Sequence, residues 1–336
     1  MKLQLLFFCF LLAGPALWAQ DEDDLSAVFA DTSRGGWRYV ISTDGLKLRT
    51  KPHRQSKVLQ TVLFGEKVQV IAPQHFGRDT VGQLEYFNIE EKPFQVPIDG
   101  YWVKVRYKQT EGYMFSAYLG RAINEVQEAD KSLNQEFVLL FPFIGCFSNI
   151  FYHPEWHWYG IYKQDGLTSI KKVKVSFYSL PMGLFGDAIS ANDNRNLQFI
   201  VGSRNPLSEK TIQNKIGYER SFYNLPLFTF EGTPIDSVLR RYNLAVSGDK
   251  TVDRANYWDS QKLVFHKNGI HQGIKPPSHD GHWYLVWCGD LDGDDSDDYI
   301  IHFGEKWAGT VLYLSKPAGK GQVVKPVAVF YSGYCC

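Results

Sequence analysis

The chain has 336 residues, and its 36 basic residues balance its 36 acidic ones. This balance gives no general attraction toward nucleic acid or an anionic membrane surface, and it argues against both partners. Aromatic residues make up 15% of the chain, and 29 glycines and 15 prolines supply turn positions. Such a composition favours many short strands, and the length suggests two domains.

The N-terminus has the pattern of a secretory signal peptide over residues 1–19. Lys2 provides a basic start, residues 5–12 form an apolar run, and Ala19 is a small residue at a cleavage point. The run is too short to span a bilayer stably, and no later segment is apolar enough to be transmembrane. We therefore expect a secreted or periplasmic protein whose mature chain begins with an acidic segment, residues 20–36.

Residues 37–120 divide into short alternating strands that predict a first, small β domain. Four motifs follow in order, Gly-Leu-Lys-Leu-Arg-Thr-Lys-Pro at 45–52, Gly-Glu-Lys-Val-Gln-Val at 65–70, Trp-Val-Lys-Val at 102–105 and Gly-Tyr-Met-Phe-Ser-Ala-Tyr-Leu at 112–119. Together they resemble the bacterial SH3-like domain, a small barrel. Lys47 replaces the family's usual Asn, and Tyr113 replaces its usual Trp.

An insertion separates two of these motifs. The segment 72–100 is longer than the usual loop range and contains apolar residues such as Phe87, Ile89 and Phe94. Such residues argue against plain disorder. Two alternatives remain open from the sequence: an extra hairpin that packs on the barrel, or a loop that contacts a ligand.

The SH3-like resemblance implies a binding role toward a cell-wall peptide or glycan, or a surface protein. Aromatic rings suit sugar faces and proline-rich peptides. The candidate contacts are Tyr39, Tyr101, Trp102, Tyr107, Tyr113 and Tyr118. Several of these rings must belong to the core of so small a barrel.

Beyond a polar linker at 121–136, with helical spacing of its apolar residues, the chain becomes β-rich again. Apolar strand candidates recur through residues 137–336, and residues 234–242 form the one clear helical segment, opened by a proline. We predict a second β domain, either sandwich-like or a partial relative of the β-propellers.

Four cysteines remain after export: Cys146, Cys288, Cys335 and Cys336. In an oxidising compartment four cysteines can pair in three ways. A vicinal disulfide at the C-terminus is strained. One route therefore joins the last two residues to the two distant cysteines, and the alternative is a disordered tail with free thiols.

The catalytic candidates are weak. His153 and His157 follow Cys146 closely, but the cysteine lacks the helix-start motif of a cell-wall peptidase. Pro154 and the residue order also exclude a His-Glu-x-x-His metal helix. We predict a binding protein without catalytic activity, and the alternative is a cell-wall hydrolase with an unrecognised active site.

The stretch 290–298 reads Asp-Leu-Asp-Gly-Asp-Asp-Ser-Asp-Asp. Acidic side chains at loop positions 1, 3, 5 and 9 and a backbone carbonyl at position 7 suit Ca²⁺, which prefers hard oxygen ligands. The predicted ligands are Asp290, Asp292, Asp294, Ser296 and Asp298. The loop departs from an EF-hand, since position 6 is Asp295 and position 12 is Ile301.

Because this loop joins two predicted strands, it resembles the calcium loop of FG-GAP repeats, and that resemblance implies a structural Ca²⁺ site. The alternative is a solvated acidic turn between two strands.

Overall fold

The computed structural model of the chain describes residues 35–72, 76–87, 92–124, 133–142, 144–145, 150–164, 167–182, 185–213, 227, 236–247, 262–275, 283–304 and 307–333. Within these ranges the protein is mostly β, as predicted, and its strands pair in antiparallel sheets. The predicted signal peptide and the proposed disulfide partners of Cys288 lie outside the described residues.

The first eight strands are β1 (Gly36–Val40), β2 (Leu46–Arg49), β3 (Val58–Val62), β4 (Lys67–Ala72), β5 (Arg78–Phe87), β6 (Pro93–Tyr107), β7 (Thr110–Phe115) and β8 (Leu119–Gly120). They form one sheet in the order β3-β2-β7-β6-β4-β1-β8, with β5 paired to β6. The end strands β3 and β8 do not pair with each other, so this sheet is not a closed barrel.

The inner side of this sheet carries its own core. Alternate residues of the strands point to opposite faces, and the buried set is apolar. Val40, Leu48, Val68, Val103 and Met114 are fully buried in one cluster. The alternation read from the sequence therefore matches the two faces of the strands.

The insertion forms a hairpin from β5 and the first half of β6. At its base, Asp99 accepts hydrogen bonds from Arg78 Nη2 at 2.6 Å and Thr80 Oγ1 at 2.5 Å. These bonds hold the pKa of Asp99 below its usual value against the opposing effect of desolvation. Of the two alternatives for this segment, the described residues adopt the extra hairpin.

The later strands are β9 (Phe137–Leu140), β10 (Ile144–Gly145), β11 (His157–Gln164), β12 (Leu167–Lys172), β13 (Val175–Met182), β14 (Phe185–Ala191), β15 (Leu197–Ser203), β16 (Lys210–Gln213), β17 (Leu244–Ser247), β18 (Lys262–Lys267), β19 (Ile270–Ile274), β20 (Trp283–Gly289), β21 (Asp298–Phe303), β22 (Trp307–Leu314) and β23 (Lys325–Gly333). They form four antiparallel sheets, ordered β10-β14-β13, β16-β12-β11-β15-β9, β17-β18-β19 and β20-β21-β22-β23. Helix α1 spans Asp236–Arg241, inside the predicted helical segment.

The four-stranded sheet β20–β23 is buried on both faces. On one side, Trp287 packs edge-on against Phe199 of the five-stranded sheet, with ring centroids 5.7 Å apart. On the other side, Tyr299 packs against Phe265 of β18 at 5.1 Å. This double burial explains why all six residues of β21 are buried instead of every second one.

The two units also touch each other. The Tyr86 hydroxyl of the insertion hairpin donates a hydrogen bond to the Ile189 carbonyl at 2.9 Å, and Tyr118 packs against Tyr178 at 5.6 Å. Leu84 shares a buried cluster with Leu180 of β13. The insertion therefore acts as a contact between the units. Across the described residues, no helix has the length and apolar character of a membrane-spanning segment.

Candidate functional site

The Asp-rich loop connects two neighbouring antiparallel strands, β20 and β21. Its ends are fixed because Gly289 pairs with Asp298 in the register of the sheet. Two residues inside the loop have left-handed backbone conformations, Gly293 with φ 80° and Asp295 with φ 61°. An EF-hand places glycine at position 6, and here Asp295 adopts the conformation that glycine favours, which Asp tolerates better than most residues.

This loop brings three of the predicted ligands together. One carboxylate oxygen from each of Asp290, Asp292 and Asp294 lies within 4.8 Å of the others. Asp290 Oδ1 accepts backbone hydrogen bonds from Gly293 at 2.7 Å and Asp294 at 3.1 Å. The Asp294 carboxylate accepts a bond from the Ser315 hydroxyl at 2.8 Å. Bonds within the loop thus hold Asp290, and a bond from Ser315 after β22 holds Asp294.

Asp292 differs from these two. Both of its carboxylate oxygens are buried and have no hydrogen-bond partner. Burial raises its pKa, the nearby Asp294 and Asp290 raise it further, and Lys316 opposes this through its charge and its backbone N–H. The Lys316 N–H favours the ionised form electrostatically but does not reach hydrogen-bond geometry with either oxygen.

Asp298 lies outside the group of three and organises the loop. Its Oδ2 accepts the Leu291 N–H at 2.7 Å, and its Oδ1 accepts the Ser315 N–H at 2.8 Å. Burial, with a smaller contribution from the charge of Asp292, raises the pKa of Asp298 to about 8. Ser296 follows the group and donates its N–H to Asp294 Oδ1 at 2.9 Å.

Cations from two other sheets reach the loop, and Lys267 of β18 donates a hydrogen bond to the Ser296 hydroxyl. Lys210 Nζ of β16 lies 3.2 Å from Asp290 Oδ2, and both side chains are largely buried. This pair helps to hold the pKa of Asp290 below its usual value, against the opposing and larger effect of desolvation. The arrangement is chemically suited to a hard divalent cation, because three clustered carboxylates repel one another when no metal neutralises them.

The structure separates the predicted aromatic contacts. Trp102 and Tyr107 are buried and therefore serve as core residues rather than surface contacts. Tyr118 packs between Phe115 and Tyr178 at the contact with the second unit. Core packing of several rings is what the small size of the domain requires.

Three of the aromatic candidates are half-buried and keep some surface. Tyr113 lies edge-on against Phe76 at 5.1 Å, and Tyr39 lies under the Lys67 ammonium at 4.9 Å from its ring centre. Tyr101 is half-buried as well, and its backbone N–H bonds to the Ser116 hydroxyl.

Trp37 is an aromatic residue that the list of candidates missed. Its side chain is 60% exposed. It lies two residues before Tyr39 in β1, so both rings point to the outer face of the sheet, while Arg38 and Val40 are buried. The alternation of this strand is the signal that could have identified it. Residues two apart in a strand share a face, so a buried Val40 places Arg38 on the inner face and Tyr39 and Trp37 on the outer face.

Cys288 is fully buried within β20 and packs in the core on the helix side of the sheet. Its proposed partners fall outside the described residues, so the disulfides stay a prediction. His153, a weak catalytic candidate, stacks on Trp156 with ring centroids 4.2 Å apart, and burial lowers its pKa. His157 is exposed at the start of β11, and Cys146 lies outside the described residues.

Comparison with known proteins gives one assignment. No curated protein and no solved structure matches the chain. The four ordered motifs and strands β2–β8 all fall in one segment of the chain, and β1 of the same sheet precedes it. That segment, residues 44–120, matches the family model of the bacterial SH3 domain, so the first unit of this protein carries a bacterial SH3 domain.

Proposed function

We propose that the protein is an exported, non-catalytic binding protein of the bacterial cell envelope, and that its SH3 domain holds a cell-wall ligand. The match of residues 44–120 to the bacterial SH3 domain carries this proposal. Domains of this family are often cell-wall binding modules. The signal-peptide pattern at residues 1–19 supports export to the compartment where such a ligand lies.

A binding role is also consistent with the surface of the domain. Its buried aromatic residues pack in the core. Trp37 and Tyr39 face outward, beside the Gln69 amide and the Lys67 ammonium. Ring faces next to polar groups are a common composition of recognition surfaces.

The experiment is a sedimentation assay with insoluble peptidoglycan and the purified mature chain, beginning at Gln20. We expect the protein to be retained and no soluble fragments to be released over the same incubation. A chain that stays in the supernatant contradicts the proposal. Release of soluble fragments, lost on replacing Cys146 or His157, supports the alternative of a cell-wall hydrolase.

We further propose that the Asp-rich loop binds Ca²⁺ and thereby stabilises the second unit. The observation that favours this is Asp292, whose two buried carboxylate oxygens lack hydrogen-bond partners next to two other carboxylates. Buried carboxylates are normally paired or bound to a metal. Asp290, Asp292 and Asp294 would hold the ion, with the Ser296 carbonyl and Asp298 as the further ligands expected from the sequence.

A further inference from the structure

The outer face of the SH3 domain presents a set of side chains that the core does not use. We define the outer face by Trp37, Tyr39, Lys67, Gln69, Arg106 and Glu111. These residues alternate with buried ones in β1, β4, β6 and β7 and therefore point away from the core. Two cross-strand rows organise them. One row is Trp37, Gln69, Arg106 and Glu111, and the other begins with Tyr39 and Lys67.

The first row places a flat apolar ring at one end and charge at the other. Trp37 is 60% exposed although the second unit of the chain is in place. An aromatic side chain of this size usually finds an apolar neighbour or a partner. The Gln69 amide lies beside it in the row and can donate and accept hydrogen bonds. Ring and amide together suit a sugar, whose faces are apolar and whose edges carry hydroxyl groups.

The charge on this face is cationic. The Arg106 guanidinium and the Lys104 ammonium both pair with Glu111, at 2.7 Å and 3.0 Å. One carboxylate thus neutralises only one of these two cations. Outside the two rows, the positive charge of Lys108 and the negative charge of Glu66 cancel. A ligand that carries negative groups matches this excess.

The backbone of the central strands of this face is already occupied. Strands β4 and β6 each have a hydrogen-bonded strand on both sides, whereas β1 pairs with β4 and is joined by β8 only at Tyr39 and Val40. An extended peptide recognised by main-chain bonds needs a free sheet edge, which the interior strands do not offer. At Gln69 and Arg106 recognition must therefore come from side chains, and the exposed Trp37 ring beside the Gln69 amide favours a glycan.

From these observations we infer that the outer face binds a carboxylate-bearing glycan, with a sugar ring on Trp37 and a carboxylate near Arg106. The inference deepens the proposed cell-wall binding by naming the surface and the ligand class, and it rests on that proposal. Three neighbouring strand spacings separate the ends of the row, so the face is about 14 Å wide and spans more than one sugar unit.

The test compares the mature wild-type chain with Trp37→Ala, Arg106→Gln and the control Leu63→Ala, which removes an equally exposed apolar side chain from outside the outer face. Each protein is titrated with polygalacturonate, a soluble carboxylated glycan, and is also sedimented with peptidoglycan. All three side chains lie at the surface, so the variants should keep a melting temperature close to that of the wild type.

We expect Trp37→Ala to weaken polygalacturonate binding roughly tenfold or more, as for a central contact residue, while Leu63→Ala changes nothing. Arg106→Gln should weaken binding and reduce its dependence on salt, because screening acts on the charge that it removes. Neutral dextran should compete poorly, and polyglutamate at equal charge concentration should compete less than polygalacturonate.

Wild-type binding that survives Trp37→Ala unchanged overturns the inference. Equal competition by polyglutamate overturns the glycan assignment and points to acidic polypeptides. If polygalacturonate binds through Trp37 but the protein is not retained on peptidoglycan, the outer face is confirmed as a glycan-binding surface. The proposed cell-wall function is then refuted. If the Trp37→Ala variant is retained on peptidoglycan as strongly as the wild type, the proposed cell-wall function is supported. The outer face is then not the surface that binds the cell wall.

Discussion

Asp292 has surroundings that an isolated surface aspartate lacks. Its two oxygens are shielded from water and unpaired, while Asp290 and Asp294 lie close by. Lys210 pairs with Asp290, and Lys316 acts on Asp292 through its charge without bonding to its oxygens. Asp292 is therefore the one carboxylate of the three that accepts no hydrogen bond, and its substitution is the most informative one.

Asp292→Asn should change stability in opposite directions with and without calcium. With chelator present, the neutral amide removes repulsion from a buried carboxylate group, so the variant should melt at or above the wild-type temperature. With saturating Ca²⁺, the wild type should gain about 2.7 kcal/mol at a hundredfold excess over Kd, and the variant should gain little. Calorimetry in both conditions measures the difference.

The matched control for this experiment is Asp297→Asn, which replaces an acidic residue of the same loop outside the three-carboxylate group. It should keep the calcium-induced rise in melting temperature. A wild-type melting curve that is identical in millimolar Ca²⁺ and in chelator contradicts the calcium site.

His302 provides a pH-dependent contribution to stability. It is buried in β21, and its Nδ1 lies 2.8 Å from the Thr310 hydroxyl. Burial lowers the pKa of His302 from 6.5 to about 4. The unfolded chain therefore binds more protons than the folded chain between these values, so stability present above pH 6.5 is lost as the pH falls toward 4.

Replacing His302 with Gln should remove this part of the pH dependence. The loss attributable to His302 in the wild type is on the order of 3 kcal/mol, from the energy equivalent of a pKa shift. Melting temperatures of both proteins from pH 7 to pH 4 measure it, with the exposed His157→Gln as a control. A His302→Gln curve parallel to that of the wild type would show that another group is responsible.

Among the elements, β6 has two functions along one strand. Its first half pairs with β5 in the insertion hairpin, and its second half pairs with β4 and β7 in the SH3 sheet. Gly100 lies where the two halves meet. A Cβ atom there would lie 2.9 Å from the Phe115 ring and 3.1 Å from the backbone nitrogen of Ala117. The close approach of the 3₁₀ turn at Ser116–Tyr118 therefore requires a glycine.

Gly100→Ala should destabilise the protein by about 1–3 kcal/mol, the usual cost of overpacking a filled site. Gly82→Ala in the same hairpin is the matched control, since its Cβ would meet only Ile98 at an ordinary 3.4 Å. The control should be neutral or slightly stabilising, because alanine restricts the unfolded chain more than glycine. Urea denaturation of the full chain distinguishes them, and equal midpoints would refute the packing argument.

At the scale of the whole molecule, the insertion hairpin connects the two units. Leu84, Trp102 and Phe115 on the first side share a buried cluster with Leu180 and Ala188 on the second. Thr43 Oγ1 also donates a hydrogen bond to the Val175 carbonyl at 3.0 Å. Removal of the second unit would expose this apolar surface to water.

A fragment of residues 30–121 should therefore fold, because its sheet has a separate core, but it should melt below the SH3 domain of the full chain. It should also bind more of a hydrophobic dye than the full chain does. Circular dichroism and dye fluorescence measure both effects. A fragment as stable as the domain in the intact protein would mean that the contact between the units contributes little.

The sequence by itself determined the features that depend on local pattern. Alternation of apolar residues gave the strands of the first unit and the faces that Val40 and Val68 occupy, and four short motifs indicated the bacterial SH3 domain at residues 44–120. The spacing of Asp290, Asp292 and Asp294 predicted that their carboxylates converge, and they lie within 4.8 Å. These outcomes follow from neighbours a few residues apart.

Only the tertiary structure decided which groups are covered by distant segments. Trp102 and Tyr118 resemble surface rings in the sequence, yet the core and the contact with Tyr178 enclose them, whereas Trp37 stays exposed. Lys210 reaches Asp290 across 80 positions of the chain. The physical reason is that burial, desolvation and charge pairing depend on distances in space, and a one-dimensional pattern encodes these only between residues of the same element.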